Sequence, residues 1–336
     1  MSIRAGVIGL GVGMRHAAAW SAHPDCELRV LCDLAPEKLV QAKALFPDAA
    51  LTQDPWQVLD DPGIDAVSVA SYDDCHAAQI LRGIAAGKHI FAEKPICLKD
   101  DELEGIRLAL EAHPQVKFSS NLILRKCPRF VRLRRAIQAG ELGRIYYLEG
   151  SYDYGRFWKL TRDWRGRQED YSVFLGGAVH LVDLALWLTG GRVTKVSAAG
   201  NALASTGTTF RCDDFVSARL EFADGMLATI NANFACVRPH FHKLCVYGTA
   251  ATFENAPESA RLYTSREPDR PPALWDDPYP GADKGDIIHG FADEILGRGA
   301  SCVSARDALE TMRVCLAVER SRRTAQPVVL DRCEAA

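Results

Sequence analysis

A short apolar run over Ile3–Ile8 breaks directly into Gly9-Leu10-Gly11-Val12-Gly13-Met14, and a helical pattern follows. Few architectures place three glycines between a strand and a helix. The turn must be tight, and its bare backbone must be approached closely from outside, which is how the first half of a βαβ unit is built. The rest of the first third repeats the pattern. Strands are predicted over 27–32, 66–70, 89–92 and 116–120, and helices over 37–45, 77–86 and 101–112. Strands that alternate with helices imply a parallel sheet, covered on both faces through right-handed crossovers. The fold class is therefore α/β, beginning with a doubly wound parallel sheet.

In that context the glycine turn reads as a Rossmann-type dinucleotide site. Gly9 permits the turn, and Gly11 and Val12 bring free backbone N–H groups to a pyrophosphate at the helix N-terminus. The third glycine of the usual spacing falls on Met14 and is displaced here to Gly13. Asp33 ends the second predicted strand, 24 residues after Gly9. A carboxylate there hydrogen-bonds ribose hydroxyls and repels a 2′-phosphate. No arginine follows at once, so the pattern favours NAD over NADP. Asp33 also precedes Pro36-Glu37-Lys38, so a helix N-cap is its alternative role.

After residue 122 the rhythm changes. A helix over 129–139 leads to a strand over 144–152, a basic loop and a dense apolar helix over 178–188 that stops at Gly190-Gly191. Strand-like runs follow over 194–200, 216–222, 227–234 and 243–247. Few helices interrupt them, so a mostly antiparallel open sheet is expected. Residues 264–285 are rich in Pro, Asp and Arg and read as a surface loop. Two helices, over 287–296 and 305–320, close the chain. The expected division is a nucleotide-binding domain over 1–122 and an α+β domain over 123–336.

Bulk properties remove several classes of function. A chain of 336 residues with formal net charge -3 and pI near 6.3 has no basic excess for nucleic acid. No stretch of about 18 apolar residues suggests a membrane span, and the N-terminus lacks a cleavage-site pattern. Eleven scattered cysteines without a CxxC pair suit reduced thiols in a cytoplasmic protein.

Three segments carry candidate chemistry. Phe91-Ala92-Glu93-Lys94-Pro95 ends the fourth predicted strand, where ligands of such sheets bind, so Lys94 is a candidate catalytic cation. Gly176-Gly177-Ala178-Val179-His180-Leu181-Val182-Asp183 places His180 and Asp183 on one face of an apolar helix. Polar groups buried there require partners. The loop from Arg156 to Tyr171 holds Arg156, Lys159, Arg162, Arg165 and Arg167, with Trp158 and Trp164 between them. It reads either as a solvated basic loop or as recognition of an anionic substrate group by Arg165 and its neighbours. Tyr154 and Tyr171 could add hydroxyl contacts or stacking. His240 and His242 alternate on one strand face near Cys245. Their spacing matches no standard zinc pattern, so no metal is expected.

Taken in order, these segments resemble the Gfo/Idh/MocA family of oxidoreductases. The resemblance spans essentially the whole chain. It includes the glycine loop running into His16, Ser71-Tyr72-Asp73-Asp74-Cys75-His76 where the family has Thr-Pro-Asn-x-x-His, Ala86-Gly87-Lys88-His89 leading to Glu93-Lys94-Pro95, Asn121 with Arg125 and Pro128, His180-x-x-Asp183, and the tail over 301–308. It implies a nicotinamide cofactor contacted by Ser71, His76, Glu93, Lys94 and Asn121 besides the glycine turn. It also implies a carbohydrate-like substrate held by Lys94, Arg156, Lys159, Trp164, Arg165, Tyr171 and His180, and a homodimer or homotetramer formed through the C-terminal sheet. Lys94 would contact the reacting hydroxyl and His180 would exchange its proton, a task suited to an imidazole with an unperturbed pKa of about 6.5. Inositol-dehydrogenase-like relatives carry an Asp four residues before the His, and this sequence has Gly176 there. The departure keeps two alternatives in view, a catalytically silent NAD(P)-binding regulator and a glycosidase that uses NAD transiently.

Overall fold

The computed structural model describes residues 2–330. Its chain forms two compact units. One comprises the chain up to Lys126 with Ala282–Met312, and the other comprises Cys127–Gly281 with the chain after Met312.

In the first unit, β1 (Ile3–Ile8), β2 (Cys26–Cys32), β3 (Ala50–Thr52), β4 (Ala66–Val69), β5 (His89–Ala92) and β6 (Phe118–Ser120) form one parallel sheet in the order β3-β2-β1-β4-β5-β6. The helices between them are α1 (Gly13–Ala22), α2 (Pro36–Leu45), α3 (Pro55–Asp60), α4 (His76–Ala85) and α5 (Asp100–Ala112). Ala5, Val7, Val67, Val69, Ile90 and Phe91 are fully buried, as expected of central strands covered on both faces. The strand order reverses between β1 and β4, which marks the carboxyl ends of those strands as the ligand crevice. β3 and α3 have no counterpart in the sequence reading. β3 has three residues and no apolar alternation to betray it. α3 is set by Asp54, whose carboxylate accepts the Trp56 N–H at 2.9 Å, and by Pro55 in the first turn.

The second unit is a nine-stranded sheet of β7 (Ile145–Asp153), β8 (Val193–Asn201), β9 (Phe215–Phe222), β10 (Leu227–Asn233), β11 (Phe241–Gly248), β12 (Thr252–Asn255), β13 (Ala260–Tyr263), β14 (Ala273–Trp275) and β15 (Val328–Val329). All its pairings are antiparallel except β7 with β10. With it come α6 (Pro128–Gln138), the one-turn α7 (Trp158–Thr161) and α8 (Val179–Thr189). α8 ends at Gly190, which takes a left-handed φ of 64°. It opens with a π-helical turn over Phe174–Ala178, four residues earlier than the apolar pattern suggests. The segment read as a surface loop over 264–285 contains β14. Its anchor is aromatic: Trp275 is buried against Phe253 and under the Arg132 guanidinium, 4.2 Å from the ring. A single buried tryptophan among prolines gives no periodic signal.

Two helices remain, α9 (Asp286–Ile295) and α10 (Ala305–Thr324). The sequence reading placed everything after 122 in a second domain, whereas the structure assigns Ala282–Met312 to the first unit. Aromatic packing explains this. Phe291 of α9 sits 6.2 Å from Trp20 and 5.8 Å from Phe91, ring centre to ring centre. Beyond α9, Ser119 Oγ donates to the Val303 carbonyl at 2.9 Å, and buried Arg125 reaches the Cys302 carbonyl at 2.9 Å and Asp307 at 3.0 Å. Phe291→Ala removes a fully buried ring and is expected to cost about 3–5 kcal/mol. Denaturant unfolding of the two proteins, followed by far-UV circular dichroism, measures the loss.

Candidate active site

In the first unit the nucleotide turn is shaped by contacts its glycines alone allow. Gly9 has a φ of 87°, and a Cβ there would lie 2.2 Å from the Ala70 carbonyl oxygen. Gly11 is the opposite case: a Cβ would meet nothing within 4 Å, so its backbone faces open space. Val12 caps α1, which starts at Gly13, and an exposed backbone at a helix N-terminus is the cradle a pyrophosphate requires. The residues present thus fit a dinucleotide.

Asp33 is buried and braces this turn. One oxygen accepts the Leu10 N–H at 2.6 Å and the other accepts the Ala35 N–H at 2.9 Å. Ala35, not Asp33, is the N-cap of α2. Lys38 Nζ stands 3.1 Å from Asp33, one turn into α2. The sequence reading, which looked for a cation directly after Asp33, did not anticipate it.

At the end of β5 the carboxylate of Glu93 is the hub. Its Oε1 accepts from Asn121 Nδ2 at 2.6 Å and lies 3.3 Å from His16 Nε2. Its Oε2 accepts the Lys94 N–H at 3.3 Å. Asn121 Nδ2 also reaches the Lys284 carbonyl at 2.9 Å. Burial pushes the Glu93 carboxyl up, but the His16 hydrogen bond and the charges of Lys284, His16 and Lys94 outweigh it. The group is held well below the usual carboxylate range. Lys94 itself is half-buried, and its bond to Pro95 is cis. Among the described residues, buried Asn121 Oδ1, Ser120 Oγ and His16 Nδ1 have no hydrogen-bond partner. Polar atoms left so in a core call for a partner such as an ordered water or a bound group. His76 ties the neighbouring loop down, with ring nitrogens 2.7 Å from the Pro95 carbonyl and 3.1 Å from that of Ser71. The Ser71 hydroxyl donates to Gln79 at 2.7 Å.

In the second unit His180 and Asp183 are both buried on α8. Around His180 stands a wall of rings. Tyr152 stacks 6.3 Å from it and His242 meets it edge-on at 6.2 Å. Tyr152 in turn touches His240 at 5.0 Å, His242 at 5.2 Å and Phe234 at 5.6 Å. Burial pushes the Tyr152 phenol up. The Tyr279 hydroxyl accepts the His242 N–H at 2.9 Å and lies 2.6 Å from its Nδ1. The sequence reading placed His240 and His242 on one strand face. His240 precedes β11, and both rings turn onto Tyr152. Tyr279 was missed, since the proline-rich stretch around it offers no pattern. No group of His, Cys, Asp and Glu able to hold a metal occurs among the described residues.

The basic loop is more ordered than its composition suggests. It folds into α7 and a 3-10 turn over Trp164–Arg167. Arg165 and Lys159 share Asp163, at 3.2 and 3.9 Å. Arg165 lies 4.4 Å over the Trp164 ring, and Nε donates to the Tyr171 hydroxyl at 3.1 Å. The Arg156 guanidinium lies 5.4 Å from the Tyr154 ring.

Known proteins fit this geometry. Residues 3–119 match the model of an oxidoreductase family with an NAD-binding Rossmann fold, and residues 130–254 match the GFO/IDH/MocA C-terminal domain. The chain is 26% identical to an uncharacterised oxidoreductase of Bacillus subtilis (strain 168), covering 98% of this chain and 97% of that one. It is 26% identical to a myo-inositol 2-dehydrogenase of Thermotoga maritima, over 80% of each. A levoglucosan dehydrogenase solved in complex with NADH superposes with a TM-score of 0.86 at 21% identity, covering 98% of this chain and 100% of that one. Fold and nucleotide site define an NAD-binding oxidoreductase. The chain belongs to the Gfo/Idh/MocA family. No helix among the described residues is long and apolar enough to cross a membrane.

Because Glu93 is held below its unfolded value of about 4.3, its charge stabilises the fold above that pH, and the contribution disappears as pH falls through the lower folded value. Glu93→Gln breaks a buried charged cluster and is expected to cost about 3–5 kcal/mol at pH 7. Denaturant titrations of both proteins from pH 7 to pH 3 should show the gap narrowing below pH 4. A gap independent of pH would mean that the charge contributes nothing.

Proposed function

We propose that the substrate is a secondary alcohol or ketone of a sugar, cyclitol or nucleotide-sugar, interconverted by hydride exchange with bound NAD. The observation that carries this reading is His180, an imidazole on a buried helix, set in a wall of Tyr152, His242 and their neighbours. Tyrosine and histidine present an apolar face and a polar tip, which suits a polyol's alternating C–H and hydroxyl surfaces. The names of the relatives point the same way, to inositols and levoglucosan.

Lys94 supports the substrate oxygen with a fixed positive charge, held in place through the backbone bond to Glu93. His180 takes or returns the hydroxyl proton. Asp183, three residues on, keeps α8's polar pair together on one face. Asp33 binds the adenosine ribose, while Gly11 and Val12 meet the pyrophosphate with backbone N–H groups. Ser71, His76 and Asn121 shape the nicotinamide side, and Arg156, Lys159, Trp164, Arg165 and Tyr171 hold the substrate. A cytoplasmic site of action accords with the cysteine usage. The chain first leaves the nucleotide-binding domain a few residues beyond β6, between residues 122 and 127, and returns to it over Ala282–Met312. The same sheet that carries His242 provides the contact for a homodimer or homotetramer, through the cluster of Tyr146, Tyr147 and Tyr247. Tyr146 is 53% exposed. Tyr146→Glu is expected to shift the protein to a smaller species in sedimentation velocity, and an unchanged sedimentation profile removes that contact.

Lys94→Met and His180→Ala are each expected to lower turnover by about 10²–10⁴. NADH binding, followed by nicotinamide fluorescence, should remain close to that of the parent protein. A panel of sugars, cyclitols and sugar acids with NAD and NADP in parallel supplies the substrate. Turnover by both variants at the parent rate rejects the assignment.

A further inference from the structure

Gly176 lies in the π turn four residues before His180. A Cβ at this position would be 2.1 Å from the Tyr171 hydroxyl oxygen and 2.9 Å from the ring carbon that bears it. The Tyr171 hydroxyl therefore occupies the space a side chain on residue 176 would take. Tyr171 is buried, and its ring packs edge-on against Trp164, Phe210 and Phe234 at 6.0, 6.4 and 6.3 Å. Phe234 continues the wall to Tyr152, and Tyr152 to His180. Arg165 Nε donates to the phenol oxygen at 3.1 Å, and Asp163 and Trp164 fix the guanidinium itself.

A side-chain carboxylate at 176 would present an acceptor only. The phenol that fills the space instead can donate, since its hydrogen rotates about the C–O bond to meet an acceptor. A phenol oxygen that accepts from a guanidinium is polarised, which makes its own O–H the stronger donor. What stands one turn from His180 is thus a donor backed by positive charge. Such a group discriminates in favour of a ligand oxygen that carries negative charge.

We infer that Tyr171, backed by Arg165, is a specificity-determining residue of the site around His180, and that it selects sugar-like substrates bearing a carboxylate over their neutral counterparts. The inference rests on the function proposed above and deepens it by naming the substrate class. It makes Gly176 a requirement of specificity, because any side chain there expels the phenol.

The test is a binding titration on the NADH-loaded protein, read by the change in nicotinamide fluorescence. The probes are D-glucuronate against D-glucose and D-galacturonate against D-galactose. In at least one pair the acid should bind about tenfold tighter or more, the scale of a hydrogen bond to a charged group. Tyr171→Phe and Gly176→Ala should each bring the acid-to-neutral ratio near one, and the double variant should lose no more than either single one, since both remove the same contact. Arg165→Gln should lose the preference, and Arg165→Lys should keep part of it. Thermal melts establish that each variant is folded. If one is not, the others carry the comparison. A parent protein that binds acid and neutral members alike, or binds no acid, overturns the inference, as does a Tyr171→Phe variant that keeps the full ratio. Tight acid binding with no reduction of NAD on any alcohol overturns the proposed reaction and leaves the selectivity standing.

Discussion

The first unit depends on one buried carboxylate. Glu93 follows β5 almost fully buried, and an ion so placed persists only if its partners hold it. Those partners come from far apart in the chain: His16 from α1, Asn121 from the end of β6, and the backbone of its own neighbour Lys94. Asn121 then secures the Lys284 carbonyl, just ahead of α9. The network thus draws the glycine-turn helix, the carboxyl edge of the sheet and the returning segment to one point. Lys94 acquires a fixed position because the residue before it is immobilised. The remaining unsatisfied atoms on His16 and Asn121 belong to members of the same network, and Ser120 is the residue next to Asn121.

The second unit solves a different problem, how to carry polar chemistry on a helix that is buried on nearly every side. α8 has apolar residues around its whole circumference, and Val179 to Ala185 are all buried. Two glycines before it make room for two tyrosines. A Cβ on Gly177 would press within 2.5 Å of the Tyr152 ring, and one on Gly176 would meet the Tyr171 hydroxyl. A π turn contains them, and such turns recur at functional sites. Packing at the start of the helix therefore decides which side chains stand around His180.

Much of this was legible in the sequence, and for identifiable reasons. The strands over Ile3–Ile8 and His89–Ala92 were readable to the residue because buried parallel strands are unbroken apolar runs with sharp ends. The glycine turn and Asp33 were readable because their roles impose spacing. Asp33's grip on the Leu10 N–H was not, since a backbone partner leaves no trace in a sequence. Lys38 escaped because one helical turn, rather than adjacency, brings it to Asp33. Tyr279 and β14 escaped because single aromatic anchors among prolines have no period. The return of Ala282–Met312 to the first unit escaped for a more general reason: an amphipathic helix such as α9 shows that it has a partner face, but not which core supplies it.

Aromatic rings as well as acids place the cations of the second unit. Arg156 rests against the face of Tyr154, Arg238 against Phe241 and Arg165 against Trp164, at 5.4, 5.2 and 4.4 Å. An aromatic face orients a guanidinium without neutralising it, whereas a carboxylate partner consumes much of its field. Arg165 and Arg238 do have carboxylate neighbours, Asp163 and Asp153, but each carboxylate has other work. Asp163 also caps the Trp164 turn and lies near Lys159, and Asp153 also accepts from Ser151 at 2.6 Å. Rings thus aim these groups while shared acids only partly offset them. A wall built in this way keeps oriented cations beside buried aromatic surface.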